Sequence, residues 1–142
     1  MKFGLFVNGQ HPPGESMVAR IQESLEQVKA ARECGFHMIC AGQHYLSAPY
    51  HMNATIPFLA RLAAEADGME IAATVLLLPL LNPVDVAETA ATMDAISGGH
   101  FILGIGIGYR DEEYIAFGIK RNERIARTAE ALKIIHRLWT ED

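Results

Sequence analysis

His44 stands in Gln43-His44-Tyr45, directly after the short apolar run Met38–Gly42. An imidazole just past the end of a strand can take or give a proton near neutral pH, which makes His44 a candidate acid–base group. The plainer use, hydrogen bonding to loop backbone, stays open on the residues alone. Glycines 104, 106 and 108 raise a second possibility. Their GxGxG spacing lacks the third glycine of a dinucleotide fingerprint, and Tyr109-Arg110-Asp111-Glu112 is not an apolar helix start. Alternate glycines on one strand face leave room for a flat ligand or a neighbouring side chain, and packing alone accounts for them equally well. Six histidines raise the question of a metal. His37, His44 and His51 fall on different elements, and there is no HExxH or Cys/His cluster, so no metal site is expected. Glu88, inside an otherwise apolar helix, reads as the structural ion-pair partner of an arginine rather than as a catalyst.

Strands and helices must hold these groups, and the stretch Met69–Gly108 indicates how. Ile71–Leu78 is apolar without alternation, as expected of a strand in a parallel sheet buried on both faces. A second such run is Phe101–Gly108. Between them Asn82 can cap a helix that begins at Pro83, Asp85 suits its first turn, and Ser97-Gly98-Gly99 ends it. The first strand reads as Lys2–Val7, followed by a turn-rich loop Asn8–Gly14 that does not continue it. Ser16 opens a helix with a buried stripe of Met17, Ile21, Leu25, Val28 and Ala31, and Gly35 closes it. A further helix is expected at about Ala54–Ala66, one turn at Glu112–Ala116, and a last helix at about Asn122–Trp139. Ile125, Ala129, Leu132, Ile135 and Trp139 are its expected buried stripe.

Strands thus begin near residues 2, 38, 70 and 101, a spacing of roughly 30–35 residues that is the size of a βα unit. Four such units fit a small doubly wound sheet or one half of an eight-unit barrel, and periodicity does not separate the two. In either case ligands bind at the C-terminal strand ends, here Asn8–His11, Gln43–Tyr45, Leu78–Asn82 and Gly106–Arg110. A half barrel would leave open edges and an uncovered interior, which is a motive for self-association as a homodimer or larger oligomer.

The 142 residues suffice for one domain, residues 1–142; half are hydrophobic, a fifth are charged, and the net charge is -5. An acidic chain without a polybasic patch is a poor partner for nucleic acid or anionic membranes. The apolar runs are broken by Pro79 and Pro83 before ~20 residues, and no charged-then-apolar leader is seen at Met1, so a cytoplasmic protein is expected. Cys34 and Cys40 form no CxxC and are expected to be buried as small apolar side chains.

Several stretches together carry a resemblance: Met1–Phe6, Gln43-His44-Tyr45, Leu78–Val84, Val86-Ala87-Glu88, Met93–Gly99, Leu103–Gly108 and Phe117-Gly118. In this order and at these separations they resemble the bacterial luciferase-like flavin monooxygenases, across the first half of that family's barrel. The resemblance implies an α/β fold of TIM-barrel type, the first four βα units with parallel strands. It also implies a flavin-dependent oxidoreductase that uses reduced FMN and dioxygen to oxygenate a small organic substrate, with F420-dependent hydride transfer as the alternative. By the same likeness His44 is the proton-transfer histidine beside the cofactor. Thr74-Val75 corresponds to a bulged strand with a non-proline cis peptide. Phe6, Thr74, Val75, Gly106, Tyr109 and Arg124 are the implied cofactor contacts, Arg124 through the phosphate, which suits the paired donors of a guanidinium. Ile107 and Gln43-His44-Tyr45 depart from the light-emitting members, so light emission is not implied. A second reading is a non-catalytic half barrel that self-associates.

Overall fold

A computed structural model describes residues 1–141. In chain order the elements are β1 (Gly4–Phe6), β2 (Gln10–His11), α1 (Met17–Glu33), β3 (Met38–Ala41), β4 (His51–Met52), α2 (Thr55–Ala63), β5 (Glu70–Leu77), α3 (Pro83–Ile96), β6 (Phe101–Gly106), α4 (Asp111–Ala116) and α5 (Arg124–Thr140). Single turns of 3-10 helix lie at Leu78–Leu80 and Arg121–Glu123.

The expected helix signals act where the sequence puts them. Ser16 Oγ accepts from the Ala19 N–H at 3.3 Å to start α1, and Gly35 at φ 77° lets the chain turn away after it. Asn82 Oδ1 accepts from the Val84 N–H at 2.9 Å, with Pro83 opening α3 and Asp85 in its first turn.

The main sheet has four strands in the order β1-β3-β5-β6. All pairs are parallel, with Phe6 opposite Cys40, Cys40 opposite Ala72 and Ala72 opposite Ile102. Every crossover moves one strand in the same direction, so right-handed connections bring the helices to one face. A doubly wound sheet would reverse its order at a switch point; this one does not, and so it is the arc of a barrel. Val7, Ile39, Ala41, Ile71 and Ala73 face the helices and pack with Leu25, Val28, Leu59, Leu62 and Met93. Full burial of a side chain such as Leu59 or Ile71 contributes about 1.5–3 kcal/mol.

Several expectations need correction. The loop after β1 is not free of strand: β2 pairs antiparallel with β4, His11 opposite His51, and the Asn53 N–H donates to Gly9 O at 2.8 Å. Strand β5 is not covered on both faces, because Thr74 and Val75 are exposed at the bulge between Ala73 and Leu76. The barrel-interior face of the sheet has no helix to meet them. The last helix buries Ala131 and Ile135, whereas Ile125, Leu132 and Trp139 are exposed. Its contact line is set by the Leu78–Leu80 turn and α3, where Arg127 Nε donates to Pro79 O at 2.9 Å and Trp139 Nε1 to Ala87 O at 3.2 Å. Cys34 is exposed at the end of α1 and Cys40 is half-buried on the open face of the sheet. Glu88 is exposed and makes no ion pair among the described residues. No helix among the described residues is long and apolar enough to cross a membrane.

Candidate active site

The open face of the sheet alternates with the helix-covered one, so it receives Phe6 from β1 and Gly104 and Gly106 from β6. The bulge in β5 adds Thr74 and Val75, joined by a cis peptide as the family resemblance implies. These side chains form one surface. A Cβ on Gly42 would lie 3.4 Å from the Phe6 ring and 3.2 Å from Thr74 O, which places β1, the end of β3 and the bulge side by side. A Cβ on Gly104 would stand 2.3 Å from Ala73 O, and one on Gly106 would stand 2.5 Å from Val75 Cγ2. The glycines of β6 therefore make room for the neighbouring strand, and what Gly106 can offer a ligand is its backbone. Phe6 is 56% and Val75 37% exposed, an apolar platform at the C-terminal strand ends.

His44 lies at the edge of this platform and is one-third exposed. Its Nδ1 is 3.0 Å from Glu113 Oε1, and the same oxygen accepts from the Tyr45 N–H at 2.9 Å. Glu113, in α4, is 0% exposed. A carboxylate oxygen already accepting an N–H accepts a second hydrogen from the imidazole, so the geometry puts the proton on Nδ1 and leaves Nε2 as the basic nitrogen. The loop is pinned from two more directions. Gln43 Oε1 accepts from the Leu77 N–H at 2.8 Å, and Arg110 donates to Tyr45 O at 3.0 Å and Leu46 O at 3.2 Å. Burial pushes the Tyr45 phenol above its ordinary range, with Glu113 and Asp85 adding to it, so it remains a neutral donor and acceptor at pH 7.

Tyr109 is exposed, with its ring edge-on to His44 at 5.8 Å between centroids. Arg124 sits at the start of α5. Its Nη1 donates to Arg121 O at 3.0 Å, while its buried Nε has no hydrogen-bond partner among the described residues. Neighbouring Tyr114 donates to Ile107 O at the end of β6, and its phenol is raised chiefly by burial, against the opposing charges of Arg124 and Arg121. Phe6, Thr74, Val75 and Gly106 thus share the platform, His44 and Tyr109 its rim, and Arg124 stands among cations beyond β6. On its other side, toward α2 and α3, His44 borders a cavity of about 630 Å³ lined by polar and apolar side chains alike, among them Asn53, Ile56, Leu76, Asp85 and Val86, and by none of the platform residues. Among the described residues no three His, Cys, Asp or Glu side chains gather as a metal site would need.

Glu113 and Arg110 are the residues of this candidate site that sequence reasoning missed. Asp111-Glu112-Glu113 looks like a run of acids favoured by a helix N-terminus, and only the fold reveals that its third member turns inward.

Comparison with known proteins agrees with this geometry. The chain is 30% identical over its whole length to 4-hydroxyprotoasukamycin monooxygenase of Streptomyces nodosus subsp. asukaensis, of which it covers 38%. It is 29% identical to an F420-dependent glucose-6-phosphate dehydrogenase of Amycolatopsis mediterranei, over 85% of this chain and 38% of that protein. The crystal structure of the monooxygenase RslO1 from Streptomyces bottropensis superimposes with a TM-score of 0.89 at 30% identity, over all of this chain and 44% of that one. The chain therefore spans about two-fifths of the length of the relatives it matches. The family profile of luciferase-like monooxygenases matches residues 1–142. The chain belongs to the luciferase-like monooxygenase family.

Proposed function

We propose that residues 1–142 form the cofactor-holding half of a luciferase-like oxidoreductase that uses reduced FMN and dioxygen to oxygenate a small organic substrate. The observation that carries the reading is the exposed apolar platform of Phe6, Thr74 and Val75 with His44, held by buried Glu113, at its rim. A flat aromatic ring system fits such a surface, and the partnerless Nε of Arg124 fits a phosphate. Phe6, Thr74, Val75 and the Gly106 backbone would hold the ring, Tyr109 would border it, and Arg124 would hold the phosphate. When bound, the reduced flavin supplies the electrons and dioxygen the oxygen atom. The protein's own part is to position, to exclude water, and to move a proton at His44 Nε2, whose basicity is kept available because Nδ1 carries its hydrogen toward Glu113. The Amycolatopsis relative, named as an F420-dependent enzyme, keeps hydride transfer with F420 as the second reading of the same platform.

Titration with oxidised FMN and with F420, read by absorbance and fluorescence quenching, tests the proposal. Arg124→Ala should weaken FMN binding by about 1.5–3 kcal/mol, the value of a hydrogen bond to a charged group. His44→Ala should leave affinity nearly intact and remove turnover. A chain that binds neither cofactor would instead be the non-catalytic half barrel.

A further inference from the structure

The loop that carries His44 is held in a conformation that its own residues do not favour. Leu46 has φ 50°, in the left-handed region, although it is not a glycine. Its side chain is 61% exposed, so packing of that side chain does not impose the conformation. What meets the backbone there is Arg110: Nη1 donates to Tyr45 O at 3.0 Å and Nη2 to Leu46 O at 3.2 Å. Left-handed backbone is costly for an L-residue with a Cβ, a cost that a pair of charge-assisted hydrogen bonds can offset. Three positions on, in the first turn of α4 that Arg110 immediately precedes, Glu113 takes the other polarity of the same loop, the Tyr45 N–H and His44 Nδ1. Both arrive at one carboxylate oxygen, which demands that the ring and the following amide be placed together. Arg110 Nη1 lies 3.8 Å from that oxygen and its side chain is 26% exposed.

We propose that Arg110 is a positioning residue for His44: by holding the carbonyls of Tyr45 and Leu46 it keeps Leu46 left-handed and the loop in the one arrangement in which Glu113 fixes the Nδ1-protonated imidazole. The inference rests on the reading of His44 as the proton-handling group.

The test uses the ¹⁵N-labelled chain without cofactor. Ring-nitrogen spectra at a pH where the imidazole is neutral, assigned by His44→Gln, report the tautomer, and amide hydrogen exchange reports the loop. In the unaltered chain His44 should carry its hydrogen on Nδ1. Arg110→Met should move His44 toward the Nε2-protonated form and speed exchange of the Tyr45 amide about tenfold, with sheet amides unchanged. Arg110→Lys, which keeps the charge without the paired donors, should fall between. Adding Leu46→Gly to Arg110→Met should recover part of the protection, since glycine adopts the left-handed backbone without a partner. An unchanged tautomer and Tyr45 exchange in Arg110→Met would overturn the proposal, as would a loss of protection spread through the sheet or one that Leu46→Gly leaves untouched. Because no cofactor enters, failure here is separate from failure of FMN or F420 binding.

Discussion

At the scale of residues, the site is organised around one buried carboxylate. Glu113 Oε1 receives two N–H groups, so its removal strands two donors rather than one. Glu113→Ala should lower stability by about 1–3 kcal/mol for the Tyr45 N–H it leaves unpaired, checked by urea denaturation. The two raised phenols predict an alkaline limit. Tyr45 and Tyr114 are held above their ordinary range first by burial, so ionisation is resisted in the folded chain and not in the unfolded one. Stability is therefore full below about pH 10 and falls as pH rises past it; the urea midpoint should decline there, less steeply in Tyr45→Phe. A midpoint unchanged to pH 12 would contradict this. His44 was legible because a histidine past a strand end is conspicuous in sequence. Glu113 was not: its partner lies 69 positions away, and its two acidic neighbours give it camouflage.

Elements were legible where a local signal decides them. The caps at Ser16 and Asn82, and the unbroken apolar run of β5, lie in the sequence as plainly as in the fold. Pairings that depend on distant partners were not, which is why β2 and β4 escaped notice: two residues each, they match no period. The face of α5 was only partly legible: Ile135 is buried as expected, but apolar residues occupy two adjacent stripes, and contact with the Leu78–Leu80 turn selects Ala131 beside it rather than Ile125, Leu132 and Trp139. The glycines of β6 were ambiguous in sequence and are resolved by the bulge across from them. Gly104→Ala should destabilise by about 1–3 kcal/mol or more, because the added methyl meets backbone at Ala73 and not a movable side-chain tip. A thermal midpoint equal to that of the unaltered chain would refute this account.

For the molecule as a whole, the sheet is a barrel arc with helices on one side only. Strands β1 and β6 each have a free edge, and Phe6, Val75 and Ile102 stay exposed on the concave face. Parallel sheets are ordinarily covered on both faces. We propose that the isolated chain associates with a second copy, the free edge of β6 meeting the partner's free edge at β1. Sedimentation velocity should then give a concentration-dependent mass above 15.6 kDa. A monomer at every concentration, with no binding of an apolar dye to the open face, would remove the proposal. Half of this picture was readable from four βα spacings; periodicity left barrel and doubly wound sheet open, the family resemblance implied the barrel, and the strand order agrees with it.

The clamp on His44 joins the third-strand loop to a helix that follows the last strand, and this dictates a schedule. As the polypeptide leaves the ribosome, the histidine emerges long before its carboxylate, with β5, α3 and β6 still to come. The sheet can begin to assemble in that interval, but the imidazole has nothing to fix which nitrogen bears hydrogen. The hydrogen on Nδ1 is thus placed only after α4 has been made, and a product halted before residue 113 would carry the histidine without the carboxylate that orients it.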